Sequence, residues 1–164
     1  MLVVSDTSPI GNLARIGRLE LLRFQFGSLS IPPAVRAELE ELPPAMGKAA
    51  VEEALRHGWI TVHPVERPEL VKILAGELHL GESEALALAI QLGADLVLLD
   101  EREARRAAQR LNLRVTGVLG VLLRAKRTGA ITSLAREIDC LRAKAGFFIA
   151  ADLERHILSE AGES

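Results

Sequence analysis

Apolar residues in this chain fall into short runs, and the runs follow two different rhythms. Leu2, Val3 and Val4 form a continuous triplet that leads to Asp6. Leu96, Val97, Leu98 and Leu99 form a second run that stops at Asp100. Such runs read as strands buried on both faces. Between them, apolar residues recur three and four positions apart, the spacing of a helix with one buried face. The pattern predicts strands at 2–5, 59–63, 95–99 and 113–115, with a short extended piece at 29–31. It predicts helices at 8–15, 18–25, 33–42, 45–57, 69–75, 101–111, 117–127, 133–145 and 150–160, and a long apolar helix from Gly81 to Gly93. Gly17 splits the first two helices, Pro33 suits a first helical turn, and Pro43-Pro44 ends that helix. Apolar strands alternating with helices imply an α/β fold, a parallel sheet covered on both faces.

Composition narrows this picture. A chain of 164 residues suits one domain, 1–164, and can bury a real core. At 49% hydrophobic and 26% charged it is a globular composition, not a disordered one. A single cysteine, Cys140, excludes an internal disulfide and fits a reducing compartment. Asp6 interrupts the first apolar run, so no signal peptide is expected. The longest wholly apolar stretch, Ala85 to Ile90, is too short to span a membrane. The expected location is therefore cytoplasmic. Aromatic residues are few: Trp59, four Phe and no Tyr. That argues against a protein that holds single strands by stacking many bases. The net charge of −2 does not advertise a nucleic-acid binder, although a local basic patch can sit within such a sum.

The chemistry of interest lies in acids at unexpected places. Ligands of open α/β sheets bind outside the carboxyl ends of the strands. Asp6 and Asp100 both lie at such ends. Each could instead cap the helix that follows it, but two strands ending alike invites a common purpose. In "PAVRAELEEL" the apolar stripe is Val35, Leu39 and Leu42, and Glu38 points along it. A glutamate there must be paired, metal-bound or at the stripe's edge. In "LGESEALALA", Glu82 and Glu84 occupy the first turn of an apolar helix, where acids are also favoured by the helix dipole. Carboxylates brought together repel, and their pKa values rise. A hard divalent cation, Mg²⁺ or Mn²⁺, relieves that repulsion with oxygen ligands. His57, His63, His79, His156 and Cys140 show no zinc-ligand spacing.

Competing motifs are missing: there is no phosphate-binding G-x-x-x-x-G-K-[ST], no G-x-G-x-x-G after the first strand and no G-x-S-x-G. Arg102, Arg105, Arg106 and Arg110 share one helical stripe just after Asp100, and Arg124, Lys126 and Arg127 cluster later. Arginines beside an acidic metal site suit a nucleic-acid phosphodiester, with Arg102, Arg105 and Arg106 on the phosphates. A solvated helix face paired with Glu101 and Glu103 is the plainer alternative.

The motifs "SDTSPIGNLARIG", "LHLGESEALALA", "GVLGVLLRAKRTGAI" and "KAGFFIAADLERHILSEAGE" resemble a prokaryotic subfamily of PIN-domain ribonucleases over nearly the whole chain. That resemblance implies a three-layer α/β/α sandwich with a central parallel sheet, and Mg²⁺- or Mn²⁺-dependent cleavage of RNA. It also implies frequent homodimers, and many relatives are toxins inhibited by a small antitoxin protein. Carried over, the four site acids are Asp6, Glu38, Glu82 and Asp100, as both catalytic and metal-binding groups. Glu84, Glu101 and Glu103 are the alternates, and Ser8 matches a hydroxyl residue that supports the first acid. Two positions depart from the family pattern: Glu82 and Glu103 stand where Asp is usual. The expected function is a metal-dependent endoribonuclease. The alternatives are a non-catalytic PIN-like module that binds RNA or protein, and a small-molecule phosphohydrolase using the same site. Apolar stripes at Leu134, Ile138, Leu141 and Ala145, and at Ile149, Leu153 and Ile157, place the helices within 133–160 either on the domain or in a dimer interface.

Overall fold

A computed structural model describes all residues from Met1 to Ser164. Five parallel strands form one sheet in the order β3-β2-β1-β4-β5: β1 (Val3–Ser5), β2 (Leu29–Ile31), β3 (Ile60–Val62), β4 (Leu96–Leu98) and β5 (Val115–Thr116). The chain builds outward from β1 through β2 to β3. It then returns to the other side of β1 with β4 and β5. The strand order therefore reverses between β1 and β4, whose register pairs Val3 with Leu96, Val4 with Val97 and Ser5 with Leu98.

Ten helices surround the sheet: α1 (Thr7–Arg15), α2 (Glu20–Phe26), α3 (Pro33–Glu40), α4 (Lys48–Arg56), α5 (Pro68–Leu74), α6 (Leu80–Leu92), α7 (Arg102–Arg110), α8 (Val118–Arg127), α9 (Leu134–Ala145) and α10 (Ala151–Glu160). Side chains alternate across the sheet, as strand geometry requires. Val3, Leu96 and Leu98 join the larger core with α1, α2, α4, α8 and α9. Val4, Val97 and Leu99 join a smaller core with α6 and α7. The result is the expected α/β/α sandwich, and no helix is long and apolar enough to cross a membrane.

Every predicted element is present with ends shifted by a few residues, except at 45–57. There a short 3₁₀ turn, Pro44–Met46, precedes α4, and Gly47 breaks the two with φ of 87°. A Cβ at Gly47 would overlap the Ala14 carbonyl oxygen, so the chain needs glycine to pass this close to α1. The C-terminal stripes pack on the domain: Leu134, Ile138, Leu141, Ile149 and Ile157 are buried in the larger core, while Leu153 is exposed. The tail is also tied back by hydrogen bonds. Glu163 accepts from the Leu134 and Ala135 N–H groups at the start of α9, and Lys126 pairs with Glu163 at 3.2 Å.

One buried ion pair fastens α9 to the α1–α2 connection. Glu137 is almost fully buried, and Arg18 Nη2 lies 2.6 Å from its Oε1. Removing one partner strands the other as a buried charge. Arg18→Ala is therefore expected to lower stability by about 2 kcal/mol in a urea melt, somewhat less than a fully enclosed pair because Arg18 is partly solvated. Joint replacement, Arg18→Met with Glu137→Leu, should recover most of that loss. An unchanged midpoint for Arg18→Ala would show that the pair contributes nothing.

Candidate active site at the carboxyl edge of the sheet

The ladder between β1 and β4 runs one bond past β1, with the Asp6 N–H donating to the Leu98 carbonyl at 3.0 Å. This holds Asp6 beside the end of β4 and brings Asp100 to the same edge. Asp6 stands at the N-cap position of α1 with extended backbone, but its side chain makes no capping bond to that helix beyond the adjoining Thr7 N–H. It is almost fully buried. Burial is the main force on its proton, and it raises the pKa. The Thr7 N–H works the other way, and the charges of Glu82, Glu38 and Asp100, in that order, add to the rise. The outcome is a carboxyl pushed up to about 7.

Asp100 does not cap the helix that follows it, since Glu101 holds that position. Its Oδ1 accepts from the Val118 N–H at the start of α8, at 2.8 Å, and its Oδ2 from Asn12 Nδ2, at 3.4 Å. Burial raises its pKa; these two bonds and the Arg105 charge oppose the rise, and Glu101 adds to it. The net direction is upward.

Glu82 is buried, and its Oε1 accepts from the His79 N–H at the start of its own helix. Its capping and site roles thus coexist, because its charge also reaches Asp6. Glu84 is drawn elsewhere: Oε1 accepts from the Ala34 N–H in the first turn of α3. For Glu38 the structure selects one of the placements the sequence left open, the stripe's edge. It does not point into the core; it is exposed at the edge of the buried Val35–Leu39 stripe and has no side-chain partner. It reaches the site from the rim, over Gly81. A Cβ at Gly81 would overlap Glu38 Oε1 and lie 3.4 Å from Asp6 Oδ1. Two carboxylates therefore meet against one bare backbone position.

The supporting groups differ from those expected. Ser8 makes no side-chain hydrogen bond, whereas the neighbouring Thr7 Oγ1 is buried with no partner. The arginine stripe divides. Arg105 turns inward and donates to the Leu99 carbonyl at 2.9 Å, and Arg110 pairs with Glu77 at 2.7 Å. Arg102 and Arg106 remain exposed without ion pairs, as do Glu101 and Glu103. Of the later basic cluster, Lys126 and Arg127 pair with Glu163 and Glu160 near the chain's end.

Asn12, Gly81 and Gly117 escape the sequence reading. Asn12 had one faint signal, a lone amide among the buried residues Pro9, Ile10, Gly11, Leu13 and Ala14 of α1. The glycines had none that pointed to a site. A Cβ at Gly117 would stand 2.5 Å from Asp100 Oδ1 and 2.9 Å from both Arg105 Nη1 and the Leu99 carbonyl oxygen.

A family model described as a PIN domain matches residues 2–163. No curated protein matches the chain.

Asp6 gives a test with a definite sign. Unfolded, it titrates near 3.8; folded, near 7. Between those values the folded state holds a proton that the unfolded state has lost. The stability contributed by this group is thus complete below 3.8 and is lost as pH rises through about 7. A carbonyl-detected NMR titration should place the Asp6 midpoint near neutrality. Asp6→Asn should flatten the decline of the denaturation midpoint across that window. An Asp6 midpoint at the ordinary carboxylate value would show that neither burial nor the neighbouring acids hold its proton in solution.

Proposed function

The chain belongs to the PIN-domain family, and on that premise we propose that it is a metal-dependent endoribonuclease that hydrolyses RNA phosphodiester bonds. The observation that carries the reading is Asp6: a buried acid at the strand-order reversal, its proton held by burial and by three further carboxylates.

Asp6, Glu38, Glu82 and Asp100 offer only oxygen donors, which suits Mg²⁺ or Mn²⁺. No three His, Cys, Asp or Glu side chains stand close enough to hold an ion by themselves. Mg²⁺, however, keeps several waters and uses one or two carboxylates. Asp6 and Glu38, which meet over Gly81, match that need. A bound ion would polarise a phosphoryl oxygen and ease deprotonation of a water. The protein's own groups do the rest. Burial and the neighbouring carboxylates raise the Asp6 pKa to about 7, and a cation bound there would take the place of that proton. Asp100 is held in one orientation by Val118 and Asn12. Arg102 and Arg106, exposed and unpaired, would hold backbone phosphates.

A second reading, a PIN-like module that binds RNA or protein without cutting, draws support from the dispersed carboxylates and the exposed Glu38. A homodimer and a small antitoxin over the site are proposed as the biological setting of the first.

Purified protein with a structured RNA pool and Mn²⁺ is expected to cut, and Asp6→Asn to abolish cutting while keeping the fold. Gly81→Ala adds one methyl group where Glu38 now sits. Displacing that carboxylate by about an ångström is expected to lower the rate ~10²-fold. Wild-type cleavage rates in Asp6→Asn would place the chemistry elsewhere. Folded protein that binds RNA but never cuts it, with any divalent ion, would favour the second reading.

A further inference from the structure

Asp100 alone of the four acids lines a concavity of about 330 Å³. Its floor is polar: Asp100, Arg105 and Thr116, with Gly117 and Gly120 between them. Its far wall is apolar and comes from the end of the chain: Phe147, Phe148, Leu153 and Ile157. The size lies at the lower end of small-molecule sites, about 300–1,000 Å³.

The floor has unused hydrogen-bonding capacity. Thr116 Oγ1 makes no hydrogen bond within the protein, and it fits only because Gly120 has no Cβ, which would overlap it. Arg105 uses one Nη1 donor on Leu99 and keeps the remaining donors of its guanidinium free. The wall holds an aromatic ring in the open. In the segment Gly146–Ala150, Phe147 packs against the larger core and Ile149 is buried, while Phe148 between them is 85% exposed. The Phe147 N–H also bonds the Leu141 carbonyl at the end of α9. Phe148 is thus held outward by anchored neighbours on both sides. An exposed aromatic ring and unsatisfied polar groups lining one small cavity match a nucleobase, which has an apolar face and a polar edge.

We propose that this concavity receives one unpaired nucleobase of the RNA strand, stacked on Phe148 with its edge toward Thr116 and Arg105, beside the phosphate presented to Asp100. The inference rests on the nuclease reading and adds to it the ring on which one base of the bound strand stacks. It also refines what the scarcity of aromatics implies. The chain lacks a platform for many stacked bases, but one base needs one ring.

The test is binding, not cleavage. A fluorescent unstructured RNA 12-mer is titrated into Asp6→Asn protein, where cutting does not intrude. Phe148→Ala in that background is expected to weaken binding about tenfold, toward the low end for one stacked base. Phe148→Trp should keep the affinity. The same RNA as a duplex should bind Phe148→Ala and its parent equally, because its bases are already paired. Equal affinity of the two proteins for the single strand overturns the pocket and leaves the nuclease reading standing. A Phe148→Ala change that alters only self-association in sedimentation also overturns it, assigning the ring to a contact between copies. Absence of any RNA binding, together with absence of cleavage by wild type, overturns both readings.

Discussion

All five strands of this protein run the same way, and that single constraint arranges everything near the site. In a parallel sheet every strand ends, and the helix after it begins, at one edge. Helix N-termini carry unpaired N–H groups and a partial positive charge. Four of the acids at this edge take a hydrogen bond from a group at a helix start, two of them, Asp100 and Glu84, from a helix distant in the chain. Asp100 accepts from Val118 on α8 and Glu84 from Ala34 on α3, and Asp6 takes the Thr7 N–H that opens α1. Glu82 accepts from His79 at the start of α6. The crowd of negative charge is tolerable because the topology delivers donors to the same place.

The compensation is incomplete, and the shortfall is informative. Asp6 receives one backbone donor against burial and three like charges, and its proton affinity rises accordingly. Asp100 has two donors and a nearby guanidinium, yet burial still prevails. Glu38 has neither donor nor cation. A structure under selection for stability alone would pair these groups or replace them, since surface pairs such as Arg36–Glu40 form readily on the same helix. Residual strain concentrated at one edge is the usual mark of a working site.

Much of this was legible in the sequence because it depends on short-range pattern. The strands announced themselves as apolar runs, and their ends placed Asp6 and Asp100 without any tertiary knowledge. Glu82 was legible for the same reason, being at the first turn of an all-apolar helix. For Glu38 the sequence left its placement open between the stripe and the stripe's edge, and the structure takes the edge. Helical periodicity gives an angle to within about a third of a turn, which does not separate the inside of a stripe from its edge. The division of the arginines was not legible at all. Arg105 and Arg106 are neighbours with equal claims on a phosphate, and only the position of the Leu99 carbonyl turns Arg105 inward.

The glycines mark the limit most clearly. Gly81, Gly117 and Gly120 each make room for a polar atom: Glu38 and Asp100 from distant parts of the chain, and Thr116 from the turn before. Two of the three lie in motifs that read as ordinary helix openings. What they contribute is an absence, and an absence has no hydrophobic period, no charge and no spacing rule. Yet Gly117 and Gly120 line the concavity shared by Asp100, Arg105 and the C-terminal aromatic residues, and Gly81 lies against Glu38 and Asp6. The acids supply the chemistry of this edge, but its shape is set by where the chain omits a side chain. A methyl group at any of the three would be felt first by the polar atom occupying that space, well before the cores on either face of the sheet.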